Sequence, residues 1–240
     1  MGLLEYRHPY VTVDLLLFSV IDNSLAICLT KRDEEPFKGM YSLPGTFIHE
    51  DESGEGAVER LLADKLQIPK QIYVEQLQTF SDLYRDPRER VISIAYIGII
   101  PEKEMVDISW MHWFIISNSN VDCLKLTSLN DEDKLLSSEL GFDHGKMLNI
   151  ALNRLRGKID YTDILFKFIQ EKQCFTASDL RNVYQAVAGK EVNRGNFTKY
   201  QMNTYISTGL IKKTGTQSVG RGRPADTYTY TGGEKLWIRS

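Results

Sequence analysis

The hydrophobic pattern of this chain changes abruptly near Tyr161, about two thirds of the way along its 240 residues. Before that point, five β-rich apolar runs are separated by turn sequences such as IDNS. They are YVTVDLLLFSVI, SLAICLTKR, YVEQLQTFSDLY, RVISIAYIGII and MHWFII. After it come three short helical patterns and two β-prone runs that flank a Gly/Arg-rich tip. The sequence therefore predicts an α+β chain in which a sheet-rich half precedes three helices and a basic hairpin.

Helix signals place the other elements. ESGEGAVERLLADKLQI carries apolar residues at mostly helical spacing after Ser53, a residue type suited to an N-cap. Residues 131–160 predict helices broken near Gly141, with Asp143 as the N-cap of the helix that leads out of the first half. Three helices are then predicted before the hairpin, from TDILFKFIQEK, TASDLRNVYQAVAG and NRGNFTKYQMNTYISTG. This order of elements is the outline of a winged helix-turn-helix. We expect two domains, residues 1–150 and 151–240.

Charge divides along the same boundary. Residues 151–240 contain 15 Lys/Arg and 7 Asp/Glu, a net charge of +8, whereas residues 1–150 contain 14 and 25, a net charge of −11. A basic module of this size attracts a polyanion such as DNA, and an acidic body avoids nonspecific phosphate contacts. Uneven surface charge without function is the alternative.

Other features of the sequence bear on the location of the protein and on disulfide and metal sites. The longest apolar runs are shorter than the roughly 20 residues that span a bilayer, and the N-terminus lacks a signal-peptide pattern, so we expect a cytoplasmic protein without a membrane partner. Three widely separated cysteines, Cys28, Cys123 and Cys174, favour neither a disulfide framework nor a zinc site. The four histidines show no metal-ligand spacing.

The stretch LPGTFIHEDESGEGAVERLLADKLQI resembles a Nudix box. Aligned residue by residue, the first Glu of the box is kept as Glu52 and its Arg as Arg60, but the three carboxylates near its end become Leu61, Asp64 and Lys65. In the family, carboxylates three and four residues apart lie on one helix face and hold divalent cations against a pyrophosphate. The resemblance therefore implies a Nudix domain without catalytic residues, metal site or cofactor.

An active, magnesium-dependent hydrolase of ADP-ribose or a similar compound is the alternative. It would require shifted metal ligands, for which the sequence offers Glu52, Glu55 and Glu59.

A set of cations and aromatic residues suggests that the Nudix pocket persists. RDPRERVISIAY is similar to a segment of Nudix proteins that act on ADP-ribose-like molecules, and arginine forks suit phosphate groups. Each residue has an alternative role as a surface cation or core aromatic. The predicted effector-binding residues are Lys31, Arg32, Phe37, Tyr41, Glu52, Arg60, Arg85 and Arg88.

Over nearly its whole length the chain resembles the Nudix-related transcriptional regulator (NrtR) family. The resemblance in the C-terminal part rests on three stretches, VYQAVAGKEVNRGNF, TKYQMNTYISTGLIKKTG and GRGRPADTYTY. It implies a Nudix-type α/β/α sandwich with a mixed sheet, followed by a winged helix-turn-helix. It also implies a homodimeric repressor of palindromic, double-stranded operator DNA. The effector implied is ADP-ribose, with NAD metabolism as the target, although relatives also control sugar catabolism, which leaves a sugar open.

The helix beginning at NRGNF is suited to the major groove, with Phe197 and Met202 on its inner face. Asn and Gln can recognise adenine, Arg can recognise guanine, and Lys neutralises phosphate. A winged helix used for protein contacts is the alternative. The predicted DNA-binding residues are Arg194, Asn196, Lys199, Tyr200, Gln201, Lys212, Arg221 and Arg223.

Overall fold

The structure is a computed structural model that describes residues 8–68, 72–106, 108–120, 123–130, 132–218 and 224–232. The chain forms two compact units. One comprises residues 1–18, 26–99 and 104–151, and the other comprises residues 19–25, 100–103 and 152–240. Two independent domains, 1–150 and 151–240, stay a prediction. No helix in the described part of the chain combines the length and apolar character of a membrane span.

The strands up to residue 136 form one mixed sheet in the order β5-β6-β1-β2-β7-β8-β9, with β3 paired to β2 and β4 paired to β1. β1 and β6 are parallel, whereas the pairs β1–β4, β2–β3, β2–β7, β5–β6, β7–β8 and β8–β9 are antiparallel. The strands are β1 Tyr10–Ile21, β2 Ser24–Lys31, β3 Tyr41–Ser42, β4 Gly45–Phe47, β5 Tyr73–Phe80, β6 Val91–Ile99, β7 Met111–Asn120, β8 Cys123–Ser128 and β9 Lys134–Leu136.

All five strands predicted from the apolar runs are present. β1 lies in the centre of the sheet and is covered on both faces, which explains its continuous apolar run. Helix α1 spans Gly54–Arg60 and begins as predicted, with Ser53 Oγ accepting from the Gly56 N–H at 3.1 Å. A π-helical turn over Leu61–Lys65 continues it. The apolar residues of both segments are buried, so the Nudix-box helix packs on the sheet through its predicted face.

The helix predicted over residues 131–140 is wrong. Lys134–Leu136 instead forms β9, which pairs with β8, and Ser137–Glu139 forms a 3-10 turn. The hydrogen bonds of β9 are made with β8, and the apolar spacing within residues 131–140 does not reveal such pairing. The segment therefore forms a strand although its spacing is helical. Only the second predicted helix exists there, α2 at His144–Lys158, immediately after Asp143.

The second unit has the predicted order of helices and hairpin. Its elements are β10 Phe175–Thr176, α3 Ala177–Ala188, α4 Arg194–Phe197, α5 Asn203–Ser207, β11 Ile211–Gln217 and β12 Ala225–Tyr230. The strands form a small sheet in the order β10-β12-β11. The helix predicted over TDILFKFIQEK is wrong in extent, because only a 3-10 turn at Ile164–Lys167 forms. Apolar residues there are buried on several sides, and such a run does not specify a helical period.

Local capping fixes the two longer helical segments of this unit. Thr176 and Asp179 form a reciprocal capping box at the start of α3. A π-helical turn over Thr198–Met202 joins α4 to α5, so helical backbone runs from residue 194 to 207. Phe197 and Met202 are each 1% exposed, which confirms the predicted inner face of this segment.

Candidate ligand cavity and nucleic-acid interface

A cavity of about 840 Å³ opens in the first unit beside the Nudix-box helix. Its size is within the range of small-molecule sites. It is lined by strands β1, β2 and β4, the π-helical turn after α1, the loop that precedes β6, and the start of α2. Four of the predicted effector-binding residues line it: Lys31, Arg32, Arg85 and Arg88. The sequence prediction missed several others, among them Asp14, Trp110, Phe142 and His144.

Arg85 forms the centre of a buried ionic network on one wall of this cavity. Its side chain is 3% exposed and binds Asp143 through two bonds, Nη2 to Oδ1 at 2.8 Å and Nε to Oδ2 at 3.2 Å. Nη2 also lies 3.4 Å from Oδ2 of Asp14. One guanidinium thus serves two carboxylates, which keeps each buried charge paired.

Asp14 has two further polar neighbours. Ser93 Oγ donates to Asp14 Oδ2 at 2.5 Å, and His144 Nε2 lies 3.7 Å from Asp14 Oδ1. The Leu43 N–H donates to His144 Nδ1 at 2.9 Å, which assigns the imidazole proton to Nε2 on the side of Asp14. Burial lowers the pKa of His144 below its usual value of 6.5, against the opposing effect of Asp14 and Asp143. The imidazole is therefore neutral at pH 7.

Phe142 holds two guanidiniums at the cavity. The Arg32 and Arg88 guanidiniums lie 4.9 Å and 5.9 Å from its ring centroid, and Phe37 packs edge-on against it at 4.8 Å. Arg32 Nε donates to the Pro36 carbonyl at 2.6 Å, whereas Arg88 pairs with Asp86. The Phe142 backbone has φ +57°, a strained conformation for an aromatic residue. Cation–π contacts thus orient both arginines.

The other four predicted effector residues do not line the cavity. Arg60 clasps Glu52 through two bonds of 2.6 and 3.0 Å and also donates to the Phe47 carbonyl, so this pair fastens the loop before α1. Hydrogen bonds from Arg60 lower the pKa of Glu52 to about 2. Tyr41 is buried and donates to Asp133, and burial raises its pKa to about 12. Effector binding by these four residues stays a prediction.

The Nudix-box helix does not fit a magnesium ion. Leu61 is 1% exposed, and Lys65 Nζ donates to the Gly45 carbonyl at 3.3 Å, which leaves Asp64 as the single carboxylate of the three aligned positions. Nowhere among the described residues do three His, Cys, Asp or Glu side chains cluster to hold a metal. Two of the three proposed shifted ligands are also engaged elsewhere, since Glu52 pairs with Arg60 and Glu55 accepts from the Tyr96 hydroxyl.

In the second unit, the segment 194–207 presents a polar outer face. Arg194, Asn196 and Lys199 are exposed, and Tyr200 is 60% exposed with the Lys199 ammonium 5.3 Å from its ring centroid. Gln201 is half-buried and donates to Asp160 at 3.3 Å, so its amide is held within the unit.

The hairpin adds exposed Lys212 on β11, next to Lys213, which pairs with Asp226 at 2.8 Å. Arg221 and Arg223 lie outside the described residues. The assignment of all eight residues to DNA stays a prediction.

A mixed sheet with a Nudix-box helix beside a cavity, followed by three helical segments and a hairpin, defines a Nudix domain joined to a winged helix-turn-helix domain. Residues 166–230 match the NrtR DNA-binding winged helix domain. The C-terminal part of the chain therefore matches the winged helix domain of NrtR regulators, and the resemblance and the fold class inferred from sequence are confirmed.

Similarity to known proteins extends over both parts of the chain. The crystal structure of Shewanella oneidensis NrtR complexed with a 27mer DNA matches with a TM-score of 0.71 and 29% identity, covering 92% of this chain and 93% of that one. The ADPR responsive transcriptional repressor NtrR of Acinetobacter baylyi is 25% identical over 232 residues, 94% of this chain and 84% of that protein. The ADP-ribose pyrophosphatase of Methanocaldococcus jannaschii is 41% identical over 93 residues, 38% of this chain and 52% of that protein.

Proposed function

We propose that this protein is a DNA-binding transcriptional repressor whose Nudix-type cavity binds ADP-ribose and thereby releases operator DNA. The observation that carries the proposal is the combination in one chain of a ligand-sized cavity, a metal face replaced by Leu61 and Lys65, and an NrtR-type winged helix. A cavity that retains its ligand without cleaving it is what a sensor requires. The ADPR-responsive repressor of Acinetobacter baylyi, similar over most of its length, supports the same reading.

The chemistry of the cavity suits ADP-ribose. A diphosphate is matched by the cationic side chains of Lys31, Arg32, Lys65 and Arg88, all of which line the cavity. Trp110, which is 36% exposed at the cavity, offers an aromatic surface to the adenine base. A sugar effector lacks the phosphate charge that these cations would neutralise and stays the less favoured prediction.

DNA binding is assigned to the exposed face of residues 194–207 and to the hairpin. Its exposed cations can neutralise phosphates, and the side chains near the start of the segment can reach base edges in the major groove. A homodimer would place two such segments on a palindromic operator. Ligand that favours a different dimer geometry would weaken operator binding, and by linkage the operator would weaken ligand binding by the same factor.

An electrophoretic mobility shift assay with DNA from upstream of the gene, with and without ADP-ribose, tests the proposal. We expect a shift that ADP-ribose reverses and a steep loss of affinity with rising salt. Lys199→Ala should weaken binding and reduce the salt slope by about one, whereas Lys125→Ala, an exposed lysine on β8, should not. A shift indifferent to ADP-ribose would refute the effector, and equal salt slopes for both variants would refute the interface.

An active hydrolase is the second candidate, and the 41% identity to an ADP-ribose pyrophosphatase favours it. We propose that the domain is non-catalytic, because the aligned metal-binding positions carry one carboxylate, one buried leucine and one lysine. Incubation with ADP-ribose and magnesium followed by product analysis separates the two. Turnover in the ordinary enzyme range, about 1 to 1,000 per second, would overturn the non-catalytic proposal.

A further inference from the structure

Lys65 occupies a position where the aligned Nudix box has a metal-binding carboxylate. Its side chain is exposed at the cavity, and its Nζ donates to the Gly45 carbonyl at 3.3 Å. The Gly45 backbone is tightly fitted, since a Cβ there would lie 2.4 Å from Asp14 Oδ1 and 2.9 Å from the Val13 carbonyl. The Gly45 carbonyl, whose position is fixed, therefore holds the Lys65 ammonium at the cavity.

Lys65 differs from Arg85 and Arg88 in how its charge is compensated. Arg85 is paired with Asp14 and Asp143, and Arg88 is paired with Asp86. Within the described residues, the polar contact of Lys65 is a neutral carbonyl. A long bond to a neutral oxygen is readily exchanged for a bond to an anionic phosphate oxygen, which is shorter and stronger.

We infer that the Lys65 ammonium takes the place of the divalent cation, so that a diphosphate ester binds in this cavity without metal. This inference rests on the proposed effector function and adds the means by which the ligand's charge is neutralised. An ammonium offers positive charge and hydrogen-bond donors, but it carries no bound water of lowered pKa. Lys65 can therefore neutralise the charge of the phosphates as a metal ion would, but it cannot activate water for hydrolysis.

Reversal of this charge should restore metal dependence. With Lys65→Glu, the exposed residues 64 and 65 would both be carboxylates at the cavity. Magnesium is commonly bound by one or two carboxylates together with substrate phosphates. This variant should bind the diphosphate poorly in EDTA and regain affinity when magnesium is added.

Isothermal titration calorimetry of the full chain with ADP-ribose, in EDTA and in excess magnesium chloride, tests the inference. The wild-type protein should bind equally well in both buffers. Lys65→Met, which keeps most of the length of the side chain and removes its charge, should lose roughly 10- to 100-fold in affinity in both, as expected for a lost charged hydrogen bond. Lys65→Glu should lose more in EDTA and recover at least 10-fold of it with magnesium. Lys125→Met, an exposed lysine outside the cavity, should bind as the wild type does.

Wild-type binding that disappears in EDTA would overturn the inference while leaving ADP-ribose as the effector. So would Lys65→Met binding with wild-type affinity. Binding in neither buffer would overturn the proposed effector and this inference together. Thermal unfolding of each variant shows whether it is folded, and because position 65 is exposed we expect transitions like that of the wild type.

Discussion

Replacing Arg85 should destabilise the first unit far more than replacing Arg90 of the same loop. The Arg85 side chain is 3% exposed and is bound by Asp143 and Asp14, whose side chains are 14% and 10% exposed. Arg85→Met keeps much of the packing volume but leaves two largely buried carboxylates without their cation. Removing one partner of a buried ion pair costs about 3 to 5 kcal/mol, mainly because the remaining charge is uncompensated.

Urea denaturation followed by tryptophan fluorescence measures this effect, because Trp110 and Trp113 both lie in the first unit. The free energy of unfolding comes from linear extrapolation to zero urea. Arg90→Met is the matched control, since Arg90 is half-buried on the same loop and its guanidinium donates to two backbone carbonyls through solvent-exposed hydrogen bonds. It should cost no more than about 1 kcal/mol.

A triple variant distinguishes charge from packing. Arg85→Met combined with Asp14→Asn and Asp143→Asn removes the uncompensated charges and should recover part of the lost stability. The electrostatic account would be refuted if Arg85→Met lay within about 1 kcal/mol of wild type, or if the triple variant were no more stable than the single one.

Two further predictions concern stability. Burial lowers the pKa of His144 in the folded state. As the pH falls, the imidazole is therefore protonated in the unfolded state before it is protonated in the folded state. The free energy of unfolding should be at its full value above about pH 6.5 and should fall as the pH drops below it. His144→Gln, which keeps an acceptor for the Leu43 N–H, should flatten this dependence in urea titrations between pH 7 and 5, and an unchanged slope would argue against a neutral buried imidazole. Phe197→Ala should destabilise the second unit by about 3 to 5 kcal/mol, because Phe197 is 1% exposed and packs edge-on against Tyr184 at 5.5 Å. Circular dichroism during thermal unfolding measures this loss, and the exposed Tyr200→Ala is its control, so comparable losses for the two variants would contradict the packing assignment.

Elements governed by local rules could be predicted from the sequence. Ser53 caps α1 and Thr176 caps α3 because each hydrogen-bonds within three residues of itself, a distance visible in the sequence. The apolar period of residues 194–207 likewise fixed which side of that segment is buried. β9 was missed because its stability depends on pairing with β8, not on its own composition.

The polar wall of the cavity could not be predicted, since its contacts join distant parts of the chain. Asp14 meets Arg85 and Ser93 across 71 and 79 positions, and it lies within an apolar strand where a single carboxylate was the available signal. The hydroxyl of Tyr41, a residue predicted to bind the effector, donates to Asp133, 92 positions away. Phe142 was missed because no local pattern indicates a positive φ at an aromatic residue.

The burial of Leu61 has an evolutionary consequence. Lys65 is exposed and can change to a carboxylate with little effect on folding, but Leu61 is 1% exposed and packs against its neighbours. A carboxylate introduced there would forfeit apolar contacts and enter the interior without a cation, unless a metal were already held nearby. Substitutions that lead back toward a hydrolase must therefore occur in a set order, with position 65 changed first. Because of this order, a single substitution does not easily restore the metal-binding carboxylates once they have been lost.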